Sequence, residues 1–248
     1  MKDLFNIVSS DKSFDEAIDY FKDKVVLSPS QFYKIANEYK SLAFTVSGYS
    51  KVEILKKFYE EILKSMEAGT TMDDFKKNMN SFLEDKGYEG LTNFQADNIF
   101  RTNIQTAYNA GHYKQMTEPM VLKLRPYWQY VAVMDSHTRL AHRGMDGKVF
   151  RADNPIWDKW FPPNGFKCRC TVITLSERQV KQRGLEVLED APKYVGIDGH
   201  TVPLIVDHNF DVNPGKVTWK PNLKEYPQSM QKAYKKMYED NKNKEEWN

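Results

Sequence analysis

Five helix-start signals crowd the first 95 residues of this chain and then thin out, an asymmetry that constrains the fold more than any other feature. Each is a Ser or Thr followed three residues later by an acid or a glutamine, with an apolar stripe behind it. Such a box satisfies first-turn N–H groups that have no partner inside the helix. Ser13 with Glu16 leads Phe14, Ala17, Ile18, Phe21 and Val25. Ser28 with Gln31, and Pro29 at the first helical position, leads Phe32, Ile35, Tyr39, Leu42 and Val46, ended by Gly48. Ser50 with Glu53 leads Leu55, Phe58, Tyr59, Ile62 and Met66, closed by Gly69. Thr71 with Asp74 leads Phe75, Met79 and Phe82, ending near Gly87. Thr92 with Gln95 leads Ile99, Ile104 and Tyr108. This spacing puts each set on one helical face, and the faces predict an internal core.

The period changes after Met116. Residues 127–134 are β-branched and aromatic and read as a buried strand. Asp146-Gly147 is a turn signal, with Val149 and Phe150 opening a second strand. Residues 154–166 hold three prolines and two tryptophans and read as an ordered loop. Residues 171–174 form a third strand, and Ser176 caps a short helix to Arg183. Pro192, Pro203, Pro214 and Pro221 mark an extended arm with short strand pieces, and Gln228 to Asn241 reads as a last helix. The expected fold is α+β. A helical bundle (1–90) precedes a small mixed α/β domain with an extended arm (91–222), then a C-terminal helix and tail (223–248).

Charge follows the same division. The chain carries 36 basic and 34 acidic side chains. Residues 1–100 hold 13 lysines, no arginine and 17 acids, a net of −4, whereas the remainder carries +6. Either the two parts simply differ in composition, or only the second faces a polyanion. No apolar run approaches the roughly 20 residues of a membrane span, so no membrane partner is expected. The opening residues lack the apolar stretch of a signal peptide. Two cysteines exclude a disulfide scaffold.

Chemistry-bearing residues concentrate between Asp135 and Cys170. Both cysteines fall in one Cys168-Arg169-Cys170 segment. If it is extended, alternation turns both sulfurs to one side and Arg169 to the other, free to pair with an acid or a phosphate. A disulfide between them would close a short, strained ring. Two thiolates and an imidazole suit one structural zinc ion, with His142 as third ligand and Asp135 or His137 as fourth. A buried, hydrogen-bonded cluster without metal is the competing reading. Asp135 can accept N–H bonds of the turn it opens, Arg139 can fork onto Asp135 or Asp146, and Arg101 can tie the last long helix to the cluster.

These pieces have a recognisable order. Arg101-Thr102 and Ala107, Asn109 and Gly111 lie on a helix; a strand follows; then come Asp135, Thr138-Arg139 and His142, Gly147, Pro162-Pro163-Asn164 and Cys168-Arg169-Cys170. Residues 207–215 add an Asn213-Pro214-Gly215 element. Over roughly residues 90–215 this order resembles the phage head-morphogenesis, or minor head protein, family typified by the phage Mu F-like domain. Lys167 and His112 depart from it, standing where Asn and Arg are common. The resemblance implies a virion protein without a catalytic residue, acting in capsid assembly at the portal vertex, with portal, capsid or scaffold proteins as partners and non-specific contact with packaged DNA. Arg101, Arg139, Gly147, Pro162, Pro163, Asn164 and Arg169 would be structural motif positions. The alternative is a metal-dependent nuclease or toxin of a mobile element, built on Asp135, His137, His142 and the cysteines. No nucleophile elbow, P-loop or His-Glu-x-x-His motif supports an enzyme.

Overall fold

The structure is a computed structural model that describes residues 15–217, Ala36 excepted. Ser13, Phe14, the arm beyond Val217 and the expected helix at 228–241 lie outside the described residues. Those described belong to one compact unit ending at Val217.

The helical part follows its local signals in most places. Helix α1 (Asp15–Lys22) buries Ala17 and Phe21. It stops before Val25, which belongs instead to strand β1 (Val25–Val26). The Ser28 backbone N–H donates to Gln31 Oε1 at 3.0 Å, yet the helix it opens, α2, spans only Pro29–Phe32. The long helix expected to run on to Gly48 is therefore a misreading. A 3₁₀ segment (Asn37–Leu42) and strand β2 (Ala43–Phe44) replace it, and β2 pairs in parallel with β1. The cause is tertiary. The Ser41 carbonyl, which a helix would use internally, accepts from Tyr20 Oη at 2.7 Å and from Lys24 Nζ. Leu27 N–H then donates to Phe44 O at 2.9 Å. Leu42, Ala43, Phe44 and Val46 are all buried, a pattern no single helical stripe gives.

Helix α3 (Val52–Ala68) starts later than Ser50 predicts. Lys51 occupies the cap position without a side-chain cap bond, while Glu53 pairs with Lys86. Gly69, at φ +67°, closes it in the left-handed region where glycine has no Cβ penalty. The boxes at Thr71 and Thr92 form as read. Asp74 N–H and Gln95 N–H each donate to the cap hydroxyl at 3.2 Å, opening α4 (Met72–Asp85) and α5 (Asn93–Met116). Phe58, Ile62, Phe75, Met79 and Leu83 fill a core closed by Leu91, Ala96 and Ala107.

Helix α5 spans two cores. Its far end meets a second, aromatic core made of Trp128, Tyr130, Phe150, Trp157, Phe161 and the two cysteines. A short helix absent from the sequence reading, α6 (Pro119–Leu124), leads into β3 (Tyr127–Val131). Strand β3 is the centre of a three-stranded antiparallel sheet. Its neighbours are β4 (Val149–Arg151), with Trp128 opposite Phe150, and β5 (Thr171–Leu175), with Tyr130 opposite Val172. Trp128, Tyr130 and Ala132 alternate inward, as period two requires. Between β3 and β4 lies α7 (Leu140–Met145), followed by Gly147 at φ +75°, whose N–H returns to Tyr130 O at 2.9 Å.

The proline-rich loop contains a further turn of helix, α8 (Trp157–Trp160), and a cis bond between Pro162 and Pro163. Ser176 caps α9 (Glu177–Gln182). The arm forms a hairpin, β6 (Tyr194–Ile197) with β7 (His200–Pro203), turning on Asp198 and Gly199, both at positive φ. Asn213 then pins the arm to α8. Its N–H donates to Asp158 O at 2.8 Å and its Nδ2 to Trp157 O at 3.0 Å.

Candidate metal centre

His142 stands in α7, and the two cysteines stand just before β5. The sheet brings these segments together because β5 pairs with β3, whose continuation leads into α7. His142 Nδ1 lies 3.8 Å from Cys168 Sγ and 3.6 Å from Cys170 Sγ. The three ligand atoms lie within 4.8 Å of one another. All three residues are buried, at 2%, 3% and 2% exposure for His142, Cys168 and Cys170. Tetrahedral zinc at about 2.3 Å from sulfur and about 2.0 Å from nitrogen sets sulfur-to-nitrogen edges of about 3.6 Å. The observed separations match that edge.

The surroundings also suit thiolate. A hydrogen bond from Cys170, then the His142 ring and the Asn164 backbone N–H, hold the Cys168 thiol well below its ordinary range. Cys170 is pushed up, first because it shares its proton with Cys168 and then by burial. A thiolate at Cys168 is the form a cation would bind. His142 Nε2 has no hydrogen-bond partner among the described residues.

Asn164, with no exposed surface, organises the walls. Its Oδ1 accepts from Tyr130 Oη at 2.8 Å and its Nδ2 donates to Lys159 O at 3.2 Å. Its carbonyl accepts from Asp207 N–H at 3.1 Å. Pro162 and Pro163 are buried beside it. From α5, Gln105 Nε2 donates to Cys170 O at 3.2 Å, and His112 Nε2 lies 2.8 Å from Val172 O. Asn109, also without exposed surface, donates to Gln105 O at 3.1 Å. Gln105 and His112 hold the cysteine strand from behind. Sequence reasoning gave them no role; their signal was a polar stripe at helical spacing along α5.

The remaining expected residues do not gather at the sulfurs. Asp135 is taken by Arg169, at 2.7 Å and 2.6 Å to its two oxygens, and accepts from His137 N–H at 3.0 Å. That guanidinium holds the Asp135 carboxyl far below the usual carboxylate range. His137 is exposed. Arg139 does not fork onto Asp135 or Asp146. It reaches Asp207 Oδ2 at 3.1 Å and Phe166 O at 3.1 Å, while Asp146 Oδ1 accepts from Ala132 N–H at 2.8 Å. Arg101 pairs with Asp97 on its own helix. A further tie from α5 to the cysteine loop is Lys167, whose Nζ lies 2.7 Å from Asp97 and whose N–H donates to Thr102 Oγ1 at 3.2 Å. Lys167 sits at φ +57°, a conformation Asn tolerates better.

Residues 56–173, from within α3 to within β5, match the family described as Phage Mu protein F like protein. That segment is similar to the phage Mu F-like family. It contains His142 and both cysteines, together with Gln105, Asn109 and Asn164. Among curated proteins, the Mu-like prophage FluMu F protein of Haemophilus influenzae is 37% identical across 64% of this chain and 42% of its own length. The putative capsid assembly protein F of Escherichia phage Mu is 32% identical across 69% of this chain and 42% of its own. The chain therefore spans about two fifths of the length of the curated relatives it matches. No solved structure matches it. Among the described residues no helix is long and apolar enough to cross a membrane.

Proposed function

We propose that this chain is a minor head protein of a phage or prophage, acting in capsid assembly at the portal vertex. The observation that carries this reading is the Mu F-like segment, with a relative named a putative capsid assembly protein. Its partners are the portal protein and other capsid or scaffold proteins, and its place is the virion, after assembly in the host cytoplasm. The +6 balance after residue 100 supports non-specific contact with packaged DNA, too weak to hold the protein there alone. The test is direct. Procapsids and virions purified from the encoding phage should contain the chain, and the full chain should co-sediment with the portal of the same genome. Its absence from both particles refutes the assignment.

The buried triad further supports one structural zinc ion held by His142, Cys168 and Cys170. Three protein donors are the number that holds a catalytic zinc, with water in the fourth position, but burial to 3% or less leaves a substrate little access and is the ground for a structural role. Protein purified without chelator should carry about one equivalent of zinc. Cys168→Ser or His142→Ala should lose the metal and lower the melting temperature. Less than about a tenth of an equivalent in well-folded protein refutes the site. DNA or RNA cleavage by the zinc-loaded chain, abolished by His142→Ala with the fold retained, would make it a nuclease instead.

A further inference from the structure

A cleft of about 600 Å³ opens beside the first half of α5, walled also by the 41–49 segment and the loops at Phe166 and Phe210. Its volume is that of a ligand site, and its walls are mostly apolar and aromatic. The charge of those walls is one-sided. Lys24 and Lys40 line the cleft, and no Asp or Glu does, among the described residues. Lys24 is 3% exposed. Its ammonium donates to the Ser41 carbonyl and lies 4.9 Å above the Tyr20 ring, with no carboxylate partner among the described residues. A buried cation without an anion is costly, and a well-placed, hydrogen-bonded carboxylate beside it offsets part of that cost. Two further wall residues carry unmet polar groups: Ser41 Oγ and Thr45 Oγ1 are buried and have no hydrogen-bond partner.

The rim indicates what brings the carboxylate. Tyr33 and Phe94 are each 70% exposed and Phe166 is 56% exposed, all on this cleft. A small free acid would fill the floor and leave these rings in water. A protein segment would cover them, and aromatic rings around a desolvated charge are how such interfaces are anchored. We propose that this cleft binds a short segment of a partner protein that places an Asp or Glu carboxylate against Lys24 and flanking apolar side chains against Phe94 and Phe166. The inference concerns the recognition chemistry of the cleft and stands whether or not the chain enters a capsid.

The test pans a displayed library of random twelve-residue peptides on the immobilised full chain. Enriched sequences should carry Asp or Glu beside aromatic or aliphatic residues. Synthetic copies should bind at least tenfold more weakly when that acid becomes Asn or Gln, and equally weakly to the Lys24→Met chain. Phe94→Ser, a substitution at an exposed position, should weaken binding without altering the melting temperature, which guards against a misfolded Lys24 variant. No enrichment, enrichment without an acid, or equal binding to both chains overturns the proposal. Decanoate that binds through Lys24 while no peptide is enriched would make the cleft a small-molecule site, and also overturns it.

Discussion

Gly111 lies in the interior of α5, where alanine normally stabilises a helix by about 1 kcal/mol over glycine. Here the sign should reverse. A Cβ built at Gly111 would stand 2.7 Å from Ala17 N, 3.0 Å from Glu16 C and 3.1 Å from Ala17 Cα. These are backbone atoms of α1, so no rotamer change relieves the contact. The helices must separate by several tenths of an ångström, along a contact where Ala17 and Phe21 are fully buried. Overpacking of this kind costs about 1–3 kcal/mol, and the loosened α1 core adds to it. Subtracting the propensity gain leaves about 0–2 kcal/mol, and with the loosened core Gly111→Ala should destabilise by about 1–2 kcal/mol. Urea unfolding with matched m values measures this, and hydrogen exchange should show α1 opening first. Gly69→Ala is a control for left-handed strain alone, since nothing lies within 4 Å of its added Cβ. A Gly111→Ala chain as stable as the parent, or more so, would refute the close approach of α1 to α5.

Asn164→Ala leaves the Tyr130 hydroxyl buried without its acceptor, and should cost about 1–3 kcal/mol in denaturant titration. Burial pushes Lys24 down from 10.5 to about 7. Between those values the unfolded chain binds a proton that the folded chain has released, so this group makes stability rise with pH across that window. Comparing melting temperatures of parent and Lys24→Met from pH 6 to 10 should show the parent less stable at the acid end and the gap closing upward, with a ceiling of about 5 kcal/mol. A gap independent of pH would mean that Lys24 is not desolvated. Asn213→Ala frees the arm from Trp157 and should raise proteolytic cleavage near Asp207–Val217 before the cores are cut.

How much of this was legible beforehand depends on how local each determinant is. The boxes at Thr71 and Thr92 and the cap at Ser176 were readable because cap and partner lie within one turn, and here, among the described residues, no distant group competes for them. The β-branched and aromatic run at 127–134 and the turn at Gly147 were readable for the same reason. The triad was legible as residue types, since only two cysteines exist and His142 lies between strand signals, but its closure needed β5 to pair with β3. Tertiary structure alone decided the rest. The stripe from Phe32 to Val46 has helical spacing, yet Tyr20 and Lys24 claim the Ser41 carbonyl and β1 claims Phe44, so the helix stops at Phe32. Ser50 and Glu53 carry a box that Lys86, a residue more than thirty positions away, draws apart. Asp135 is a plausible ligand by type, and Arg169 takes both its oxygens. In each case a partner distant in sequence offered a backbone or charged group a better bond than its neighbours could. No window of local sequence contains that competition.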